Sequence, residues 1–328
     1  MAGMHTIEGS QEVQRLEHFP VTFFSLGMGM MGLTLALHAA ETAYGWGGTI
    51  SRAVLALSVA MLAVVGAFYA VKAVRHPAAV RAEWEHPVKI AFFPAISISL
   101  LLLSAALLGE WPGVARVVWM IGAALQGVLA LAVIGSWIGH RAFLTGHLTP
   151  AWFIPAVGNV IVPIAGARLG WTETSWLFFS GGLIFWVVLL TLVVNRLMFH
   201  DPMPGKMTPT LMILVAPPAV GFVAWLRLNG GVIDPLAHFL LSVGYVFAAL
   251  VVTQAGRLRG LPFALSWWAL SFPVAALTIA SFTYAGVTGS EAHLVIGTGL
   301  LAVLVLVILM LIARTAMAIR NGEICVPE

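Results

Sequence analysis

Long apolar segments recur along the whole chain with short connections between them, and this recurrence constrains the fold more than any other feature. An α-helix needs roughly 20 apolar residues to cross the hydrocarbon core of a bilayer, where it satisfies its own backbone hydrogen bonds. The sequence therefore predicts an all-α integral membrane protein with ten transmembrane helices. The ten segments span approximately residues 20–43, 50–74, 88–108, 114–139, 150–169, 174–199, 209–228, 235–255, 263–285 and 292–319.

The composition leaves little of the chain for a soluble domain. Only 9% of the 328 residues are charged and 60% are hydrophobic, whereas a soluble domain carries about 25% charged residues. We expect a cytoplasmic tail over residues 1–18, the membrane domain over 19–320 and a second cytoplasmic tail over 321–328. The net charge of +3 is too small to indicate a nucleic-acid partner, so the lipid bilayer is the expected environment.

The placement of lysine and arginine predicts the orientation. If the N-terminus is inside, twelve of the 16 basic residues lie on the inner side of the membrane and four lie outside. Because inner loops are enriched in lysine and arginine, this ratio predicts two cytoplasmic termini and supports an even number of crossings. The expected location is a bacterial inner membrane. The four outer residues are Arg52, Arg116, Arg168 and Arg227.

Interior prolines occur in the third, fifth, seventh and ninth segments but in none of the even ones. A proline removes one backbone hydrogen bond and kinks a helix, and the freed carbonyl must be satisfied away from lipid. This alternation predicts five helical hairpins, with the odd helices in an inner ring around a central pore and the even helices outside. The alternative is that prolines are simply common in membrane helices.

The predicted pore is nearly free of ionisable groups. His38 and Glu41 lie one turn apart near the end of the first segment and are the only candidates for a proton relay. The alternative is an interfacial polar pair. Cation pathways more often carry rings of acids, and the ends of broken helices suit anions, so the absence of acidic rings favours anions weakly.

Nothing in the sequence indicates an enzyme, a metal site or a cofactor. A haem-binding bundle needs paired histidines near the middle of the membrane, and a zinc hydrolase needs an HExxH motif. The histidines of this chain are isolated or near segment ends, and the single cysteine, Cys325, is close to the C-terminus. We therefore expect no enzyme activity, no metal and no cofactor.

Phe272 directly precedes Pro273 in the ninth segment. If this helix lines the pore, a kink at the proline can aim the aromatic ring across the bore, where an apolar constriction acts as a gate. The alternative is ordinary packing of the ring against a neighbouring helix.

Five strings occur in a characteristic order and spacing along the chain. They are Phe19–Phe24 with the glycines that follow it, Arg81–Val88, Pro155–Asn159, Ala216–Gly221 and Trp267–Pro273. Together they resemble the tellurite-resistance and C4-dicarboxylate transporter family, which includes bacterial TehA and the slow-type anion channels of plant guard cells. The resemblance covers about residues 18–320.

The resemblance implies a ten-helix protomer of five hairpins, a homotrimer with one pore in each protomer, and a gate at Phe272. It also implies four pore-helix prolines and suggests three pore-lining candidates within the matching strings. The prolines are Pro94, Pro155, Pro217 and Pro273, and the lining candidates are Phe24, Gly27 and Asn159.

Two transport functions follow from these expectations. The first is an anion channel that passes small inorganic anions through a neutral pore gated by phenylalanine. The alternative is a coupled carrier that exports sulfite, tellurite oxyanion or C4-dicarboxylates. The family's substrates range from chloride and nitrate through sulfite to dicarboxylates, so the resemblance leaves the anion open.

Overall fold

The computed structural model describes residues 15–139 and 143–326, and within these ranges the chain is helical with no β-strand. Most of the predicted tail 1–18 and the end of the tail 321–328 lie outside the described residues. Ten apolar α-helices account for the predicted segments. They are α1 Phe24–Tyr44, α2 Thr49–Arg75, α3 Ala95–Leu107, α4 Pro112–Ile138, α5 Phe153–Gly166, α6 Thr172–Phe199, α7 Ala216–Leu228, α8 Pro235–Thr253, α9 Ser271–Thr288 and α10 Glu291–Arg320.

Nine helical elements in the described ranges are long and apolar enough to cross a membrane. The exception is the element around α5, Pro150–Gly166, which is apolar but shorter. An all-helical membrane protein is therefore confirmed. The tenth crossing remains a prediction that rests on this one short element.

Each odd helix is preceded by a 3₁₀ segment. The four predicted kink prolines lie where 3₁₀ helix changes to α-helix, because Pro94 caps α3 and the other three occupy the first turns of α5, α7 and α9. The first turn is where a missing N–H costs little, since that group has no partner within the helix. The 3₁₀ segments are Val21–Phe23, Lys89–Phe92, Pro150–Trp152, Gly205–Val215 and Leu265–Leu270.

Two concentric rings account for the packing. Each odd helix pairs with the even helix that follows it, each odd helix contacts the next odd helix, and α9 closes the ring against α1. The four long odd elements are 67–78% buried along their most apolar stretches, whereas the even helices are only 22–39% buried. The even helices therefore present their apolar surface outward, as lipid-facing helices do, and the proline alternation predicted this arrangement.

Both ends of the described chain lie on one face, because an ideal Cβ at Gly322 would lie 3.5 Å from the Arg15 guanidinium. We call this side the terminal face and the other side the opposite face. On the terminal face a short helix, Pro77–Glu85, joins α2 to α3. The turn between α1 and α2 lies on the opposite face, where Gly45 and Gly48 adopt the left-handed backbone conformation that glycine tolerates best.

A buried ion pair anchors this short helix. Lys72 Nζ lies 3.0 Å from a Glu83 carboxylate oxygen, and both side chains are almost fully buried. The same carboxylate accepts hydrogen bonds from the Tyr69 hydroxyl and the Val21 backbone N–H, while Lys72 donates to the Phe19 carbonyl. The network thus fixes the start of the inner ring to the end of α2. Sequence reasoning missed it, because Glu83 looked like an ordinary loop acid.

Candidate functional site

A narrow cavity of about 30 Å³ lies on the axis of the inner ring, which is room for only about two water molecules. All five odd helices or their 3₁₀ segments contribute to its wall, and the wall is almost wholly apolar. The lining residues are Ser25, Met28, Phe92, Ile98, Ile154, Val157, Ile213, Ala216, Trp268, Ala269, Phe272 and Pro273.

A second cavity of about 760 Å³ lies nearer the opposite face, and we call it the vestibule. Its wall comes from α1, α2, α3, α5, α7 and α9 and the turns that follow them. Small and hydroxyl side chains line much of it. Its ionisable residues are His38, Arg52, Glu110, Arg168 and Arg227.

Phe272 is the one described residue that lines both cavities. The residue is only 6% exposed, so it is buried at the junction of the two cavities. A Cβ built on Gly32 would lie 3.4 Å from Phe272 Cδ2 and 2.9 Å from the Cβ of Ala275. The absence of a side chain at Gly32 therefore lets α9 approach α1 with the Phe272 ring directed between the two cavities.

The same close approach occurs one turn earlier. A Cβ on Gly29 would lie 2.3 Å from Ser271 Oγ and 3.1 Å from the Trp268 ring. Trp268 is buried and its indole N–H donates to Thr315 of α10 at 2.9 Å. The segment that carries Phe272 is thus held against α1 on one side and α10 on the other.

Of the four predicted pore prolines, Pro273 is the one that lines either of these two cavities. Pro94, Pro155 and Pro217 lie behind the wall, although Ile98, Ile154 and Ala216 close to them in sequence do line it. If these prolines change the direction of their helices, as predicted, the change therefore acts on the cavity through the neighbouring residues that line it.

Two pore-lining candidates in α1 are directed toward neighbouring helices. Phe24 packs edge-on against the Tyr69 ring, with centroids 5.5 Å apart, and a Cβ on Gly27 would lie 3.0 Å from both Leu62 and Ser99. Neither residue lines the two cavities. The residues that follow each of them, Ser25 and Met28, line the narrow cavity instead.

The third candidate, Asn159, takes part in a polar network behind the wall. Gln126 of α4 donates to the Asn159 side-chain oxygen at 3.1 Å and to the Pro155 carbonyl at 3.0 Å. Gln126 also accepts from the Ser97 hydroxyl at 2.7 Å. All three side chains are buried. The network therefore joins α3, α4 and α5 inside the membrane, and the structure directs Asn159 toward α4.

His38 and Glu41 occupy different environments. Glu41 is buried and its carboxylate accepts hydrogen bonds from the backbone N–H groups of Ile50 and Ser51 at the start of α2. A carboxylate at that position satisfies helix N–H groups and the helix dipole. His38 is exposed and lines the vestibule, and no hydrogen bond joins it to Glu41 in the described structure. The proton relay stays a prediction.

The vestibule carries more positive than negative charge. Arg52 forms an exposed ion pair with Glu110, whereas Arg168 and Arg227 form no ion pair with any residue that the structure describes. From the sequence, these arginines were expected only as basic residues on the outer side of the membrane. Within the described ranges no group of three or more histidine, cysteine or acidic residues is placed to hold a metal ion.

Comparison with known proteins finds relatives whose names describe anion channels, transporters and a tellurite resistance protein. The S-type anion channel SLAH3 of Arabidopsis thaliana is 27% identical over 315 residues, which cover 92% of this chain and 48% of SLAH3. The chain spans about half the length of the first plant relatives that it matches. The Haemophilus influenzae tellurite resistance protein TehA homolog is 28% identical over 262 residues, 79% of each chain.

An uncharacterized transporter of Methanocaldococcus jannaschii is 26% identical over 275 residues, which cover 76% of this chain and 80% of that protein. The family described as voltage-dependent anion channel, SLAC1, matches residues 18–316, which is nearly all of the membrane domain. The resemblance inferred from the sequence strings is thereby confirmed. The chain belongs to the SLAC1 family of voltage-dependent anion channels.

Proposed function

We propose that this protein is a channel for small inorganic anions and that the Phe272 ring gates it. The observation that carries the proposal is the position of Phe272 as the one described residue common to the narrow cavity and the vestibule. An ion that follows the axis of the inner ring has to pass this ring. An apolar constriction of this width resists ions both by blocking and by excluding water.

The charge distribution supports anions over cations. The described wall of the narrow cavity has no charged side chain, and the vestibule has more arginine than acid. Rings of aspartate or glutamate are the more usual feature of a cation pathway. Chloride and nitrate are the simplest candidates, because an apolar wall gives no specific ligands to a larger carboxylate substrate.

The test is electrophysiology of the purified protein in planar bilayers with the Phe272→Ala variant. Removal of the ring is expected to raise chloride conductance by roughly tenfold or more, which corresponds to about 1.4 kcal/mol of lost barrier. Phe282→Ala is the matched control, because Phe282 is also buried in α9 but lines only the vestibule. Equal currents in wild type and Phe272→Ala would sink the gating proposal.

The alternative function is a coupled carrier for sulfite, tellurite oxyanion or C4-dicarboxylates. Its support is the position of His38, a titratable group at the wall of the vestibule. A carrier predicts saturable flux that depends on a proton gradient and is lost in His38→Gln. Flux into liposomes that is linear in anion concentration and indifferent to the gradient would exclude coupling.

We also propose a bacterial inner-membrane location with the terminal face in the cytoplasm, supported by the excess of lysine and arginine on that face. The homotrimer remains a prediction of the family resemblance. Light scattering of the detergent-purified protein measures its mass directly, and a mass of one 34.9 kDa chain would contradict the trimer.

A further inference from the structure

Three arginines reach the vestibule from separate helices. Arg52 lies in the first turn of α2, Arg168 follows the end of α5, and Arg227 lies in the last turn of α7. They are far apart in the sequence, so only the closed inner ring brings them to one cavity. The fourth basic residue of the opposite face, Arg116 on α4, is exposed but does not line this cavity.

The acids near this cavity do not neutralise the three arginines. Glu110 is the one acid in the described wall, and it pairs with Arg52. Glu41 lies close in sequence to the wall but does not line it, because its carboxylate is buried against the backbone N–H groups that begin α2. Three guanidinium groups and one carboxylate leave two positive charges, which belong to Arg168 and Arg227.

Two unpaired guanidinium groups in one concave cavity create a strong local positive potential, because low-dielectric walls focus the field. Guanidinium groups also bind oxyanions through paired N–H donors, which gives them more affinity for sulfate or phosphate than a diffuse charge has. The vestibule, at about 760 Å³, accommodates such an anion with part of its hydration shell. The narrow cavity of about 30 Å³ beyond Phe272 does not.

We propose that Arg168 and Arg227 form an anion-binding site in the vestibule, in series with the constriction at Phe272. The site takes small inorganic anions and holds doubly charged oxyanions such as sulfate most tightly. Monovalent anions are concentrated there before they pass the constriction. Sulfate occupies the site without passing, so it blocks monovalent current from the opposite face only. The part that concerns current rests on the proposed channel function, whereas anion binding itself does not.

The first experiment measures binding without any current. Purified protein is titrated with sodium sulfate, and its thermal unfolding is compared with that in sodium chloride of matched ionic strength. We expect saturable stabilisation of the wild type and of Arg116→Gln. We expect a roughly tenfold weaker sulfate effect in Arg168→Gln/Arg227→Gln. No saturable effect in the wild type, or an equal loss in Arg116→Gln, would overturn the site.

The second experiment measures chloride current in planar bilayers with sulfate added to one face at a time. Block is expected only from the opposite face, and the double glutamine variant is expected to lose it. Arg168→Lys/Arg227→Lys keeps the charge but not the paired donors, so its block is expected to be intermediate. Block that persists in the double glutamine variant contradicts the site. A protein that binds sulfate in the first experiment but carries no anion current contradicts the channel function and leaves the site intact.

Discussion

The two halves of the axis share the five odd helices, with α2 added on the opposite side, but they differ in both width and charge. On the terminal side, 3₁₀ segments and the first turns of the α-helices bring bulky apolar side chains together around about 30 Å³. Toward the opposite face the α-helical halves enclose about 760 Å³ and carry arginines at their ends. The narrowest part of the axis and its charged part are therefore at different positions. Substitutions in one half should leave the property of the other half unchanged.

A second contrast lies between one buried ion pair on the terminal face and one exposed ion pair on the opposite face; a further pair on the terminal face, Arg81–Glu85, is also exposed. On the terminal face the side chains of Lys72 and Glu83 are 2% and 6% exposed, whereas on the opposite face those of Arg52 and Glu110 are 58% and 40% exposed. A buried charge that loses its partner is costly, while an exposed pair contributes little because water and salt screen it. The ion pair of the narrow half is therefore costly to break, whereas the Arg52–Glu110 pair contributes little to the stability of the wide half.

The largest effect on stability is expected for Lys72→Met, which leaves the Glu83 carboxylate buried without its cation. The free energy of unfolding should fall by about 3–5 kcal/mol. Thermal and denaturant unfolding of the detergent-purified protein measure this loss. Arg52→Met is the matched control on the opposite face and should cost less than about 1 kcal/mol. Lys72→Met/Glu83→Gln should recover part of the loss, and equal costs for Lys72→Met and Arg52→Met would refute the contrast between the faces.

The next effect concerns Asn159, which the sequence predicts to line the pore and the structure directs toward Gln126. Asn159→Ala leaves the buried Gln126 amide with fewer partners and should cost about 1–3 kcal/mol of stability. Chloride conductance should not change, because the side chain lies behind the wall. Unfolding and conductance are measured on the same preparation. Altered conductance at unchanged stability would restore the sequence-based prediction for Asn159.

A smaller effect is expected for Gly32→Ala, because its new Cβ would crowd Phe272 and Ala275. Overpacking of this kind costs about 1–3 kcal/mol, and a single methyl group belongs at the lower end. We expect lower chloride conductance, since the methyl group presses the ring toward the axis. Gly286→Ala is the control, because Gly286 lines the vestibule and a Cβ there meets nothing within 4 Å. Equal conductance changes in the two variants would argue against a gate at this position.

The smallest expected effect is on the rate at which maleimide labels Cys325, and labelling also tests which face is cytoplasmic. Burial raises the pKa of the Cys325 thiol, and the nearby charges of Lys72 and Arg15 only partly offset this. Because a raised pKa leaves less thiolate at neutral pH, Cys325 should react slowly with maleimide and faster as the pH rises.

A membrane-impermeant maleimide applied to intact cells should label Gly47→Cys on the opposite face but not Cys325. The reverse pattern would invert the proposed orientation.

The sequence was informative where a physical rule depends on position along the chain. A proline leaves the carbonyl of an earlier residue without its hydrogen bond, and such a carbonyl is not stable facing lipid. The alternation of proline-containing segments therefore predicted the two rings. Basic residues mark a side of the membrane, so Arg52, Arg168 and Arg227 were assigned to one face. Position along the chain does not give distances across the molecule. The sequence therefore did not show that these three arginines share a cavity and that Arg116 does not line it.

The rotation of the inner helices could not be predicted in the same way. Phe24 and Gly27 were expected to line a pore, but Ser25 and Met28 line the narrow cavity, a difference of one residue or about 100° around the helix. A helix that is buried on every side has no polar face to indicate direction. The rotation of α1 about its own axis follows from the close packing of α9 against Gly29 and Gly32. That information lies in the packing of two distant segments.

The contact of Gly29 and Gly32 with Ser271 and Ala275 has a consequence for biogenesis. The residues of each contacting pair, Gly29 with Ser271 and Gly32 with Ala275, are more than 240 positions apart in the sequence. During synthesis α1 enters the bilayer long before α9 exists, and its glycine face stays without its partner until the ninth helix arrives. Close contact between small residues is what drives helix association in lipid. The inner ring is therefore closed late in synthesis, when α9 packs against α1.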